Sequence, residues 1–387
     1  MKRVLLGQFL RSVLVAGALS AAGAALLGGL VLAEEGGTGT VADGAVDVST
    51  DYFQQRPVTG AGCCSAFGWS EDALRVRFLD SRAGVSGWWS VDTATADPRF
   101  ETAQMGYESP SGRFLSLAEG TWGAVRVLDR DTGESTLLRN VGGEIRFSPD
   151  ETRIVFSILQ AGFGLPWNRS ATTYVADADG SNQVALGATV GSVVAWLPDG
   201  ESLLVRARRG QDDNRGLWLM DASNGMLTLL LSADHLRSVR LSPDGTRVAY
   251  VRALESNPNL AGLWVLDLET LATTRMSVSG SYAWHPSGDG LIVIPARTSS
   301  KEMHTLWWLD VRDGEAVALT DPESAPLRIS NLNWALSPSG NAIAYRGAEF
   351  LGLWVLNFGL ALDAVLMAAP PTVPDMSLGS QERTERR

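Results

Sequence analysis

The sequence is short of several residue types that carry chemistry. Of its 387 residues, only Lys2 and Lys301 are lysines, three are histidines, and two are cysteines. The near-replacement of lysine by arginine reads as codon bias before chemistry. A metal centre draws on clustered His, Cys, Asp or Glu. His235, His285 and His304 have no ligand pattern around them, so neither metal nor cofactor is expected. Gly-x-Ser-x-Gly is absent, which removes the nucleophile elbow of an attached hydrolase. Walker and Rossmann fingerprints are also absent. Positive charge is in deficit too: the net charge is −11, and residues 34–387 hold 29 basic against 43 acidic residues, a net of −14. That balance argues against a nucleic-acid partner. Cys63 and Cys64 are adjacent, which leaves two readings: a pair of buried thiols, or a vicinal disulfide with strained geometry.

Hydrophobicity is concentrated first at the N-terminus. Met1-Lys2-Arg3 and Arg11 precede an uncharged run from Ser12 to Ala33. This is the pattern of an export signal over residues 1–33, read either as a cleaved signal peptide or as a retained transmembrane anchor helix. The chain is then exported, to a periplasmic, cell-surface or secreted location. Without a Cys close behind the leader, a lipoprotein anchor is not expected. Residues 34–58 read as a linker, or as a source of a closing strand near Val46 and Val48. Residues 370–387 mix Pro, Ser, Glu and Arg and read as a disordered tail.

Between these ends the chain repeats itself. Ser242-Pro243-Asp244-Gly245 forms a tight turn, and Arg247–Val251 and Leu263–Asp267 follow as strands, separated by a loop around Asn257-Pro258-Asn259. Equivalent turns stand at Ser70–Ala73, Ser109–Gly112, Ser148–Glu151, Leu197–Gly200, His285–Gly288 and Ser337–Gly340. The seven second positions are spaced by 39, 39, 49, 45, 43 and 52 residues, close to the ~40–50 of propeller blades. Two residues earlier the chain is apolar in Trp69, Phe147, Trp196, Leu241, Trp284 and Leu336, with Glu108 the exception. A second landmark keeps step: Asp92, Asp129, Asp177, Asp221, Asp267, Asp310 and Asn357 each end a strand. Three residues before them stand Trp89, Arg126, Tyr174, Trp218, Trp264, Trp307 and Trp354. Asp177-Ala178-Asp179-Gly180 falls in this register and lacks the rest of a calcium loop, so it reads as a plain turn. The phased tryptophans read as packing residues that fill the wedge between sheets.

The unit apolar-x-SPDG-x-x-(I/V)-A-(F/Y) followed by LW-V-x-D resembles the repeat of TolB-like propellers, also found in the propeller domains of tricorn protease and prolyl oligopeptidases. The resemblance covers residues 59–369 and implies an all-β β-propeller of four-stranded antiparallel blades. Seven turns imply seven blades; six remain if the first copy, which lacks Pro and Gly, is a cap. The last outer strand is expected either at Leu360–Ala368 or near Val46–Val48. Two departures bound the resemblance: the sequence holds no counterpart of the α/β domain ahead of the TolB propeller, and none of the peptidases' hydrolase domain.

In a four-strand meander the A–B and C–D turns share one rim, and the B–C and D–A loops share the other. Function is expected on the long-loop rim. The candidate binding residues there are Trp167, Asn168 and Arg169 in one loop, and Arg208, Arg209, Asp212, Asp213 and Arg215 in the next. His235, Lys301 and His304 complete the set. Mixed charge and a Trp anchor suit a polar or peptide partner; the plainer readings are a solvated hairpin for the arginines and a buried loop plug for Trp167. The resemblance implies a monomeric propeller that binds a protein or peptide in the cell envelope. The rival is a hydrolase or lyase acting on a polysaccharide or peptide at the channel mouth, and a purely structural protein is a third reading.

Overall fold

The structure, a computed structural model, describes residues 53–368 except 61, 65, 104–105, 120–122, 143, 160–170, 210–213, 256, 296–302, 324 and 350. They form seven four-stranded antiparallel blades. Blade 5 shows the unit: Leu236–Leu241, Arg247–Arg252, Gly262–Asp267 and Thr273–Arg275 pair in succession. The first copy, despite its irregular turn, builds a full blade from Phe67–Trp69, Arg75–Arg82, Val85–Asp92 and Pro98–Thr102. One long strand, Val184–Trp196, is the outer strand of blade 3 and the inner strand of blade 4, so those two sheets run together.

The seventh blade takes Ile329–Leu336, Ala342–Gly347 and Leu353–Asn357 from the end of the chain and its fourth strand, Gln54–Pro57, from the beginning. The 34–58 connector does supply the closing strand, as one of the two readings expects, at Gln54–Pro57, and Leu360–Ala368 does not; Val46 and Val48 lie outside the described residues. Residues Gly359–Ala368 form a helix instead. Its Ala, Leu and Met residues favour helix, and the Asn357 side chain accepts the Gly359 N–H at 3.0 Å to start it. Leu362 and Val365 pack it onto the core around Phe358 and Leu356. The strand position beside Leu353–Asn357 is already filled, so a second strand has no edge to join.

The turns explain their own sequence. Gly245 N–H donates to the Ser242 carbonyl at 2.9 Å, while Ser242 Oγ accepts from Arg247 N–H at 2.9 Å and donates to Asp244. The fourth position takes a left-handed φ near +73° at Gly245, which glycine adopts without steric cost. Ala73 and Glu151 occupy the same place at φ of 58° and 55°. Some fourth residues also meet the turn of the preceding blade: a Cβ on Gly245 would collide with Pro198, and one on Gly340 with His285. Glu151 uses this proximity, reaching back to accept hydrogen bonds from Ser109 Oγ and from the N–H and Oγ of Ser111.

Hydrophobic clusters join six of the seven neighbouring pairs of blades. Blades 5 and 6, for example, share Leu263, Val265, Trp284, Leu291 and Leu309. Indole groups then fasten inner strands to one another. Trp69 Nε1 donates to the Ala335 carbonyl at 2.9 Å, Trp196 Nε1 to Arg146 at 3.0 Å and Trp284 Nε1 to Arg240 at 3.1 Å, each on the blade before its own. Glu108 replaces the aromatic in blade 2, and there the contact is ionic: it sits 3.7 Å from Arg77 of blade 1 and 2.8 Å from Arg130 of its own blade.

Cys63 and Cys64 lie ahead of the first inner strand, not within it, and both are buried beside Val76, Phe78 and Val355. Their sulfur atoms are in bonding contact. Alkylation of the denatured, unreduced protein is expected to add nothing to its mass, and alkylation after reduction to add two groups. Two groups added without reduction would leave the buried-thiol reading. A second expectation concerns strain. Ala73→Gly relieves a left-handed alanine and should raise stability by about 1 kcal/mol. Glu151→Gly removes the same strain but also the contacts to Ser109 and Ser111, so its urea midpoint should fall.

Candidate binding surfaces

The second sequence landmark braces the loops of the long-loop rim. Trp218 Nε1 donates to the Ala207 carbonyl at 3.2 Å, Trp264 Nε1 to the Leu260 carbonyl at 3.0 Å, and Trp307 Nε1 to Thr305 Oγ1 at 2.8 Å. In each case the acceptor lies toward the B–C connection of the same blade. Arg126 performs the same task in blade 2 through a two-point contact with Glu119, whose carboxyl is held below its usual range by that hydrogen bond. Blade 1 has only Ala83–Gly84 between its B and C strands, both at positive φ as a tight hairpin requires. With no long loop to hold, the buried Trp89 Nε1 meets no partner among the described residues.

Among the braced loops, the one after Arg247–Arg252 is described apart from residue 256. Arg252 and Glu255 form a half-buried ion pair at 2.9 Å. Asn257 Oδ1 accepts the Asn259 N–H, and Leu260 N–H returns to the Asn257 carbonyl. This leaves Leu254, 72% exposed and at a φ of 57°, as the apolar residue the loop shows to solvent.

The candidate residues fall into three groups. Trp167, Asn168, Arg169, Asp212, Asp213 and Lys301 lie outside the described residues. Arg208 and Arg209 end the strand Ser202–Arg209, opposite Arg215 and Asn214 in the register of the adjoining strand. Arg215 faces Asp234 at 3.9 Å, and His235, exposed and at a φ of 52°, follows directly on Asp234. The structure therefore brings the strand of Arg215 beside the Asp234–His235 connection. His304 is placed differently. It is 3% exposed, its backbone bridges Leu327, and its Nδ1 accepts the Ile329 N–H at 3.1 Å. Its ring fastens a loop to the inner strand of blade 7 instead of standing on an exposed rim, because an imidazole nitrogen satisfies a buried N–H well.

A second polar cluster had no motif to announce it. On the inner strand of blade 2, Tyr107 is exposed and interacts with Glu144, whose charge raises the phenol's pKa. Glu144 pairs with Arg146, on the inner strand of blade 3, at 3.1 Å. A phenol held protonated donates a hydrogen bond rather than taking a proton. Among the described residues no three His, Cys, Asp or Glu side chains converge as metal ligands, and no helix is long and apolar enough to cross a membrane.

On the opposite rim the acidic landmark residues are turn formers. Asp267 Oδ1 accepts the N–H groups of Glu269 and Thr270, Asp179 Oδ1 accepts the Ser181 N–H in the same manner, and Asp177 Oδ2 accepts from the Asn182 side-chain amide. Asp129 is held at about 2, first by its hydrogen bond from Arg113. His285 takes the place of a turn serine. Its Nδ1 lies 2.9 Å from Ser287 Oγ, its ring meets Trp308 edge-on, and burial pushes its pKa down against the opposing charge of Asp289.

These features define a seven-bladed β-propeller. No family model matches the sequence, and no curated protein matches it. Solved structures do. An oligogalacturonate lyase in complex with manganese aligns with a TM-score of 0.59 at 13% identity, over 80% of this chain and 94% of that one. An oligogalacturonate lyase from Vibrio parahaemolyticus gives 0.57 at 12%, over 79% and 96%. A putative TolB from Agrobacterium tumefaciens gives 0.42 at 17%, over 68% and 94%. At these identities the likeness is one of fold, and a propeller fold serves many functions.

The pKa of His285 sets a pH dependence. The unfolded chain takes up a proton near pH 6.5 and the folded chain only below that. The stability this histidine carries is thus complete above about pH 7 and declines as pH falls through 6.5 toward the depressed value. His285→Ser, the residue of the sister turns, is expected to flatten the melting-temperature profile between about pH 7 and 5; an unchanged slope would show that His285 protonates normally.

Proposed function

We infer that the chain is an exported propeller that binds a protein or peptide of the cell envelope on its long-loop rim, as a binding or scaffolding module. One observation carries this reading: the hairpin register sets Arg208 directly opposite Arg215. Like charges directly opposite on neighbouring strands destabilise a sheet, by an amount comparable to the roughly 0.2–1 kcal/mol that favourable pairs add. Asp234 offsets part of the Arg215 charge, and an acidic or hydrogen-bonding partner would offset the remainder. Asp212 and Asp213 at the tip of the same hairpin, and Trp167 to Arg169 on the preceding blade, extend the surface in this reading. The uncharged run from Ser12 to Ala33 supports export, by cleaved signal or by anchor.

The second reading is a polysaccharide lyase or hydrolase. Its support is the likeness in fold to two oligogalacturonate lyases, and Tyr107, Glu144 and Arg146 are the polar groups nearest to what such a site would need.

Replacing Arg208, Arg209 and Arg215 together by Ser is expected to reduce capture of envelope partners by the exported protein at least about tenfold, a loss of ~1.4 kcal/mol. The melting temperature should hold or rise. Undiminished capture would remove the rim from the function. Release of unsaturated product from oligogalacturonate, followed by ultraviolet absorbance, would move the second reading ahead of the first.

A further inference from the structure

The blades differ at one repeated position, the first residue of strand B after the A–B turn, whose N–H is accepted by the turn serine in the regular copies. In blade 3 this residue is Arg153, which faces blade 4: its guanidinium lies 5.3 Å from the centre of the Trp196 ring and donates to the Gly200 carbonyl in the next turn. In blade 5 it is Arg247, which donates to the Gly288 carbonyl of blade 6 at 3.5 Å. Blade 2 has Phe114, stacked on Phe147 of blade 3 at 5.9 Å, and blade 6 has Gly290, whose space is taken by the Trp308 ring. The notch between successive turns is therefore filled from within the chain in each of these blades, twice by an arginine.

Blade 7 differs from these four. Its residue is Ala342, placed equivalently because its N–H donates to Ser337 Oγ at 3.1 Å and its carbonyl accepts the Ser337 N–H at 2.8 Å. Ala344, two residues on and so on the same face, packs toward blade 1. Trp69 of blade 1 holds the place of Trp196, with the same indole bond to the preceding inner strand, and Ala73 holds the place of Gly200 and Gly288. Between them the notch stays open, as a cavity of about 290 Å³ whose walls include Trp69, Asp72, Ala73, Ser339, Asn341 and Arg56.

We propose that this seam between blades 7 and 1 is a binding site for an arginine side chain of a peptide partner, which supplies in trans the guanidinium that sister blades supply themselves. The aromatic face of Trp69 attracts the cation. Asp72, Ser339 and Asn341 offer acceptors to a planar five-donor fork. Arg56 on the same wall can bind a carbonyl or a neighbouring carboxylate of the peptide. The site lies on the short-turn rim and does not depend on the long-loop reading above; the Arg208, Arg209 and Arg215 variant should retain it.

The test follows the Trp69 indole resonance by NMR, assigned through Trp69→Phe, while acetyl-arginine amide is titrated into the full chain. A saturable shift is expected, with none from acetyl-citrulline amide, which keeps the shape and loses the charge. Ala342→Arg should fill the notch and weaken binding at least about tenfold, the scale of one cation–π contact with its hydrogen bond. Ala342→Leu, which fills the same space without charge, serves if the arginine variant does not fold. No saturable shift in the parent protein, an equal response to citrulline, or undiminished binding in the filled variant overturns the proposal.

Discussion

Each blade of this propeller depends on a contact it cannot make alone. The residue at the end of an inner strand reaches back to the blade before it, through an indole N–H in Trp69, Trp196 and Trp284. These bonds fix the angle between sheets that are otherwise joined by apolar packing, which is strong but has no direction. Where Glu108 stands in the place of the aromatic, an ion pair with Arg77 takes over the task. Two chemistries thus meet one geometric requirement. The closing strand extends the same logic, since Gln54–Pro57 completes the last blade and ties the start of the propeller to its end by backbone hydrogen bonds.

Repetition also separates structural from available surface. In the regular turn the serine and aspartate hold the turn itself, and Trp218, Trp264 and Trp307 of the third strands hold the long loops. What the repeat does not dictate is small: the hairpin at Arg208 and Arg215, the exposed Leu254 beside the pinned Asn257–Leu260 turn, and the seam at Ala342. The two surfaces proposed for binding sit where a sequence position departs from what its sister copies do.

Much of the fold was legible because both landmarks are local. A turn that needs a left-handed fourth residue favours glycine, present in five of the seven copies, and a strand that ends in an Asx turn favours aspartate, present in six, so the departures at Ala73, Glu151 and Asn357 do not hide the pattern. The site was legible only in part. His304 sits in a loop by sequence and in the core by structure, because nothing local tells whether an imidazole meets solvent or a backbone N–H such as that of Ile329. The role of Arg126 was likewise hidden: only its position across from Glu119 shows that it replaces an indole.

The sequence by itself determined the repeat, the strands within it and the rim on which each loop emerges, since these follow from short-range pattern and strand alternation; it left six or seven blades open, and the full first blade decided for seven. Tertiary structure alone decided how the ring closes. A helix at Gly359–Ala368 and a strand at Gln54–Pro57 are just over 300 residues apart, and which of them joins the last sheet depends on which edge is already occupied. It also decided that Ala342 faces an open notch. A small residue in a strand is unremarkable on its own, and becomes a cavity only when the neighbouring blade brings Trp69 and Ala73 beside it.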